Sequence, residues 1–217
     1  MKRARSKPQG DRCRRPEPAA DAADSSAGHV PVLLDALLAA LMPCDGAVYV
    51  DGTFGAGGYS AALLAAAQCR VLGIDRDPES VRRGAALASR HAGRLTLVEG
   101  CFGDIERLVG EVAPGPIAGV AFDLGVSSIQ LDSPERGFSF RHDGPLDMRM
   151  SGTGRSAADL VAGLSEEELA GLIRSLGEER FARRVARAIV AARRRRPIGR
   201  TGELAEKIGR ASCRERV

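Results

Sequence analysis

The sequence predicts an α/β fold built on a doubly wound parallel sheet, and three observations predict it. Short apolar strands alternate with helix-length segments four times between residues 47 and 123, which is the pattern of a parallel sheet with crossover helices. A glycine cluster follows the first strand directly, from Gly52 to Gly58. The first, second and fourth strands each end on a carboxylate, Asp51, Asp75 and Asp123. With 217 residues, 44% of them hydrophobic and 28% charged, the chain is long and apolar enough for one ordinary domain carrying a small insertion.

Residues 1–27 have seven Lys/Arg and two acids in their first eighteen positions, and no large apolar residue beyond Met1. They lack the apolar stretch a secretory signal needs and read as a disordered basic tail, with an RNA-tethering arm as the alternative. Val32 to Leu41 is an apolar helix stopped by Pro43 and Gly46. Residues 47–51 (AVYVD) form the first strand, and Ser60 to Gln68 an alanine-rich helix. Arg70 to Asp75 is the second strand, Glu79 to His91 a helix, and Leu95 to Val98 the third strand. Asp104 to Val112 is a helix with Asp104 as its N-cap, and Ile117 to Asp123 is the fourth strand. Residues 124–155 show no sustained period and read as a long functional loop. Three helices follow, over 156–163, over 165–177 opened by the capping box Ser165-x-x-Glu168, and over 178–194 with Phe181, Val185 and Ile189 on one stripe.

Several classes are excluded on composition. The longest apolar run, Ala36 to Cys44, is about half of what a membrane span needs. Five scattered cysteines and three scattered histidines give neither a disulfide framework nor a metal-ligand spacing, so thiols in a reducing, cytoplasmic compartment and no metal are expected. The net charge is only +4, yet residues 180–200 hold nine arginines and no acid. Arg183, Arg187 and Arg194 are candidates to grip RNA phosphates, against the plainer reading of a solvated helix face.

The segment Asp51 to Tyr59 sits between a strand and its helix, where a doubly wound sheet binds its ligand. Glycines there let the backbone approach a ligand closely. Asp75, twenty residues after Gly55, stands where a carboxylate accepts from both hydroxyls of a ribose. A dinucleotide fingerprint counted from Gly55 fails, because its third glycine falls on Ser60. A carboxylate at Asp51 aimed at the ligand suits the cationic end of S-adenosylmethionine and repels a pyrophosphate; a turn carboxylate with no ligand is the alternative. Phe102 lies against the face of an adenine or packs in the core.

The segments HVPVLLDALL (29–38), YVDGTFGAGGYS (49–60), GIDRDP (73–78), FDLGVSSIQLDSPERGFSFRHDGPLDMRM (122–150) and GEERFARRVARAIV (177–190) resemble the bacterial 16S ribosomal RNA small-subunit methyltransferase H family, also called MraW, from about His29 to Ile208. The resemblance implies a class I, Rossmann-like methyltransferase that uses S-adenosylmethionine to methylate the N4 amine of one cytidine in the decoding region of 16S RNA, free or in the assembled small subunit. It also implies cofactor contacts at Gly57, Gly58, Tyr59, Asp75, Phe102, Asp123 and Gln130. Position 59 is often histidine in the family, so a backbone contact carries over and a ring contact does not.

The domains then read as a partial cofactor domain over 28–124, a functional loop over 125–155, a helical insertion over 156–208 and an atypical tail over 209–217. The family's further strands are not written after the helices, so a truncated chain is expected, with an exposed edge on its fourth strand and weak cofactor binding. Asp123 is the candidate catalytic acceptor for the protons of the cytosine amine, or else it binds the amino-acid end of the cofactor. Phe138 and Phe140 either stack on an extruded base or anchor the loop. Ser127 and Ser128 belong to no nucleophile elbow. A nicotinamide-dependent oxidoreductase and a non-enzymatic nucleic-acid binder are the alternatives.

Overall fold

The computed structural model describes residues 31–113 and 115–212. Its chain divides into two compact units, one running up to Leu124 and the other from Gly125. Residues 1–27, and His29 with them, lie outside the described residues.

The first unit is an α/β sandwich. Helix α1 (Leu34–Leu41) precedes β1 (Val48–Asp51). There follow α2 (Gly58–Ala66), β2 (Arg70–Asp75), α3 (Pro78–Arg90), β3 (Leu95–Glu99), α4 (Ile105–Val112) and β4 (Gly119–Ala121). All pairings are parallel, in the order β3-β2-β1-β4. Strand alternation sends neighbours to opposite faces. Tyr49 and Val71 pack with Leu63 and Leu64 of α2 and with Leu87 of α3, whereas Val50, Leu72 and Ile74 pack with Leu108 of α4. Helices therefore cover both faces, and the strand order reverses between β1 and β4, the place where such sheets open a crevice for ligands.

Three expectations for this unit need correction. The fourth strand is short and stops at Ala121, because β1 turns into the glycine loop after Asp51 and offers no further backbone rung. Asp104 occupies the N-cap of α4 but makes no side-chain cap bond. It ends a 3₁₀ turn over Phe102–Asp104 with φ −100 and ψ 19, not the extended geometry that aims a capping oxygen. Asp77 has that geometry and accepts from Glu79 N–H at 3.0 Å. Cys69 and Cys101 are free thiols, but Cys44 is disulfide-bonded, which corrects the reading of all five cysteines as thiols.

Strand β4 is the edge of the sheet among the described residues, and its own Val120 is exposed. An apolar recess of about 330 Å³ adjoins it, lined by Val50, Ile105, Val109, Ile117 and Val120. It lies on the α4 face and away from the carboxyl ends of the strands, so it is not where the chemistry described below is gathered.

The second unit is helical. The stretch after Leu124 is more ordered than its lack of period suggests. It holds α5 (Ser128–Asp132) and a 3₁₀ turn over Pro134–Arg136. Gly144 lets it close on itself, since a Cβ there would lie 1.8 Å from the Pro134 carbonyl oxygen. It is tied down by Leu146 N–H to Gly199 O and Thr201 N–H to Gly144 O. Helices α6 (Ala157–Gly163) and α7 (Glu166–Gly177) open on the capping boxes Ser156/Asp159 and Ser165/Glu168.

Helix α8 (Ala182–Arg193) begins later than the sequence suggests. Glu178 takes a left-handed φ of 51 after α7, and the Phe181 ring is held between the guanidinium groups of Arg180 and Arg184 at 4.5 and 4.7 Å. Helix α9 (Thr201–Ser212) is unforeseen, and it runs through the first residues of the stretch taken as an atypical tail. The core joins Leu146, Val161, Leu169, Val185, Ile189 and Ile198.

Candidate functional site

The ends of β1, β2 and β4 carry or adjoin the three candidate acids, Asp51, Asp75 and Asp123. Asp75, half-buried at the end of β2, is clamped by two backbone donors. Gly55 N–H reaches Oδ2 at 2.7 Å and Asp77 N–H reaches Oδ1 at 2.9 Å. A carboxylate has about four lone-pair sites, so each oxygen keeps one for an outside hydroxyl, and the clamp fixes the direction in which they point.

Asp51 is placed differently from the sequence expectation. It is fully buried and is not aimed at an open cleft. Its Oδ2 accepts from Ser60 Oγ at 2.7 Å and its Oδ1 from Thr53 N–H at 3.3 Å. Burial pushes its pKa up to about 6, the Ser60 hydroxyl partly offsets this, and the charge of Asp75 adds to it. The sequence could not show this, because a strand-terminal acid looks the same whether it faces ligand or core.

The glycines also act otherwise than expected. A Cβ on Gly57 would meet Phe54 and Leu87, one on Gly58 would meet Pro31, and one on Gly52 would meet the Phe122 ring. These three are small because the protein packs onto them. Gly55, with φ +53, has only the Thr53 carbonyl oxygen beside its Cβ direction, at an ordinary contact distance of 3.8 Å. Gly57, with φ +82, caps α2 without any side-chain cap; its own N–H goes to Phe54 O and that of Ser60 to Asp51, which leaves the Gly58 and Tyr59 N–H groups available to a polar ligand. Tyr59 in the first turn donates its hydroxyl to Val32 O at 2.6 Å. Its ring is thereby committed to the entry of α1, and its pKa is raised by burial, then by Asp123 and Asp51.

Phe102 is 40% exposed and meets Phe122 edge-on, with centroids 5.5 Å apart. Asp123 is exposed just beyond β4, and its N–H donates to Thr53 Oγ1 at 2.6 Å. Phe122 and Thr53 were missed at the sequence level; the only signal was their adjacency to Asp123 and to the glycine loop. Of the expected contacts, Gly57, Gly58, Tyr59, Asp75, Phe102 and Asp123 all belong to the first unit. Gln130 belongs to the second, where it is buried and its Oε1 accepts from Ser127 N–H at 3.1 Å in a capping box.

In the second unit Phe138 is half-buried with Arg136 5.9 Å from its ring, and Phe140 is 77% exposed. Arg183, Arg187 and Arg194 are all exposed, and Arg187 lies 3.5 Å from Glu166. Within the neighbouring run, Arg193 donates to Val161 O and Arg196 pairs with Glu203. No group of three or more metal-ligating side chains occurs among the described residues, and none of the described helices is long and apolar enough to cross a membrane.

A half-exposed aromatic face, a strand-terminal carboxylate with free lone pairs and uncapped helix N–H groups offer a ligand a stacking surface, acceptors and donors. The profile of the MraW methylase family matches residues 26–217. "Ribosomal RNA small subunit methyltransferase H" of Parvibaculum lavamentivorans is 58% identical over 185 residues, 85% of this chain and 55% of that protein. The protein of the same description from Rhodospirillum centenum is 58% identical over 191 residues, 88% of this chain and 58% of that one. The chain thus spans little more than half the length of these curated relatives. A solved rRNA methylase from Streptococcus thermophilus aligns at 21% identity and a TM-score of 0.32, over 56% of this chain and 72% of its own.

Proposed function

Because the chain belongs to the MraW methylase family, we propose that it serves the S-adenosylmethionine-dependent methylation of the N4 amine of one cytidine in the decoding region of 16S ribosomal RNA. The observation that carries the reading is the clamp on Asp75, whose oxygens are oriented by Gly55 and Asp77 N–H groups and keep acceptor sites for two ribose hydroxyls. When bound, S-adenosylmethionine supplies an electrophilic methyl group on a sulfonium. Phe102 lies against the adenine, Gly57 lines the ligand with its backbone, and the N–H groups of Gly58 and Tyr59 at the start of α2 contact it.

The cytosine amine is a poor nucleophile because its lone pair is delocalised into the ring, so it must be oriented and its protons accepted. Asp123, exposed beyond β4, either takes that proton or holds the amino-acid end of the cofactor. The base leaves its stack to be presented, and Phe140 has the exposure that stacking needs. Residues 28–124 form the cofactor domain, 125–155 the substrate loop and 156–208 the helical insertion. Arg183 and Arg194 face the phosphates of ribosomal RNA or of the assembled small subunit, in the cytoplasm. The nicotinamide alternative requires glycine where Ser60 stands, and Ser60 is buried against Asp51.

The test is methyl transfer from labelled S-adenosylmethionine to small subunits that lack the mark, followed by nucleoside analysis. The expected product is N4-methylcytidine, with thermal stabilisation of the protein by S-adenosylhomocysteine and none by NAD. Stabilisation by NAD alone overturns the reading.

A further inference from the structure

We infer that Thr53 is a positioning residue for Asp123, and that its side chain extends the β1–β4 ladder by one rung where the backbone no longer can. The two strands run in register through Tyr49–Gly119, Val50–Val120 and Asp51–Ala121. The last backbone bond goes from Gly52 N–H to Ala121 O at 2.9 Å. Two residues further on, the same register sets Thr53 opposite Asp123. By then the chain after β1 has turned away from β4: Thr53 N–H donates back to Asp51 Oδ1, and Phe54 N–H donates to Ile74 O of β2 at 2.9 Å. A backbone acceptor is therefore missing, and the Thr53 hydroxyl oxygen takes its place, accepting Asp123 N–H at 2.6 Å across 70 residues of chain.

The same geometry gives the buried acid a role. Ser60 donates to Asp51 Oδ2 at 2.7 Å, and Asp51 Oδ1 accepts the Thr53 amide. The buried carboxylate thus fixes the backbone of Thr53, and the side chain of Thr53 fixes Asp123. Without this rung Asp123 would sit on an exposed segment, between Phe122 at 45% exposure and Leu124 at 70%. Its carboxylate must nevertheless hold a defined place if it is to meet a ligand or a reacting amine, since small displacements of a reacting group are costly. The consequence for ligand binding rests on the methyltransferase reading; the rung itself does not.

The test compares Thr53→Val, which removes the hydroxyl at nearly constant shape, with Thr53→Ser, which keeps it. In Thr53→Val the amide hydrogen of Asp123 is expected to exchange about tenfold faster than in the unmodified protein, the worth of one hydrogen bond, while the Val50 and Leu72 amides keep their rates. The affinity for S-adenosylhomocysteine is expected to fall by about tenfold in parallel, and Thr53→Ser restores both. A role in packing alone would instead speed exchange throughout β1 and β4 and leave Thr53→Ser no better than its destabilisation allows. Wild-type exchange at Asp123 in folded Thr53→Val, or Thr53→Ser behaving like Thr53→Val, overturns the inference. If the unmodified chain binds no S-adenosylhomocysteine, the exchange rates alone decide the role of Thr53.

Discussion

In the helical unit, acids are held in their ionised form: the Arg200 guanidinium keeps Asp143 below the usual carboxylate range, Arg149 does the same for Asp147, and Ser156 and Ser165 do so for Asp159 and Glu168 at helix starts. In the sheet unit, burial drives Asp51 the other way, to about 6. Asp51 and these four acids therefore contribute to the pH dependence of stability with opposite signs. A lowered folded pKa contributes stability that is present above the unfolded value and lost as pH falls through the folded one. A raised folded pKa makes the folded state the better proton binder, so stability is greatest below 3.8 and declines as pH rises towards about 6. The difference separates acids that hold a fold together from one kept at a cost for where it places its neighbours.

The sharpest way to break this comparison is Asp51→Asn, which keeps an acceptor oxygen and removes the charge. The rise from 3.8 to about 6, at about 1.36 kcal/mol per pH unit, predicts a gain in stability at pH 7.5 of up to about 3 kcal/mol. Urea unfolding between pH 4 and 7.5 reads it, and a variant with the same pH slope as the unmodified protein would show that Asp51 is not strained. Next in size is Asp123→Asn. Losing a proton acceptor is expected to lower methyl transfer by about a hundredfold with little change in melting temperature, and turnover within a few-fold of wild type would remove Asp123 from the chemistry.

Asp75→Ala sharpens the sheet side of the contrast at a smaller scale. The loss of an ionised acceptor is expected to weaken S-adenosylhomocysteine binding at least about tenfold, as calorimetry would show; unchanged affinity in a folded variant dismisses the ribose assignment. The smallest effect belongs to the helical unit. Ser165→Ala removes the cap bond to Glu168 N–H and is expected to cost about 1 kcal/mol of stability while ligand affinity stays unchanged, and a loss of affinity would mean that the two units are not as separable in function as their acids are in chemistry.

Elements with a local cause were legible in the sequence. The capping box at Ser165 announces α7 through residues three apart, and the strands over 70–75 and 95–98 follow from short apolar runs beside turn residues. The less legible parts have distant causes. Strand β4 stops early because β1, some 70 residues before it, turns away. The stretch over 124–155 lacks any period because Gly137 and Gly144 fold it against Pro145 and Pro134, and no pattern records a contact between backbones. Helix α9 was missed because a threonine–glycine start is a weak signal, although Thr201 is fixed by bonds to Gly144 on both its backbone and its hydroxyl.

For the site the division is similar. By itself the sequence determined the alternation of strands and helices, the glycine loop after the first strand and the spacing of Asp75 from Gly55, because each is written in neighbouring residues and in the periods of strand and helix. Only the tertiary structure decided which acid faces outward. Asp51 and Asp75 both end parallel strands, yet Ser60 and a surrounding core enclose the first, while backbone N–H groups hold the second at the edge of the loop. Burial and the direction of a hydrogen bond are properties of what folds against a residue, and for Asp51 and Asp123 those partners arrive from 9 and 70 positions away.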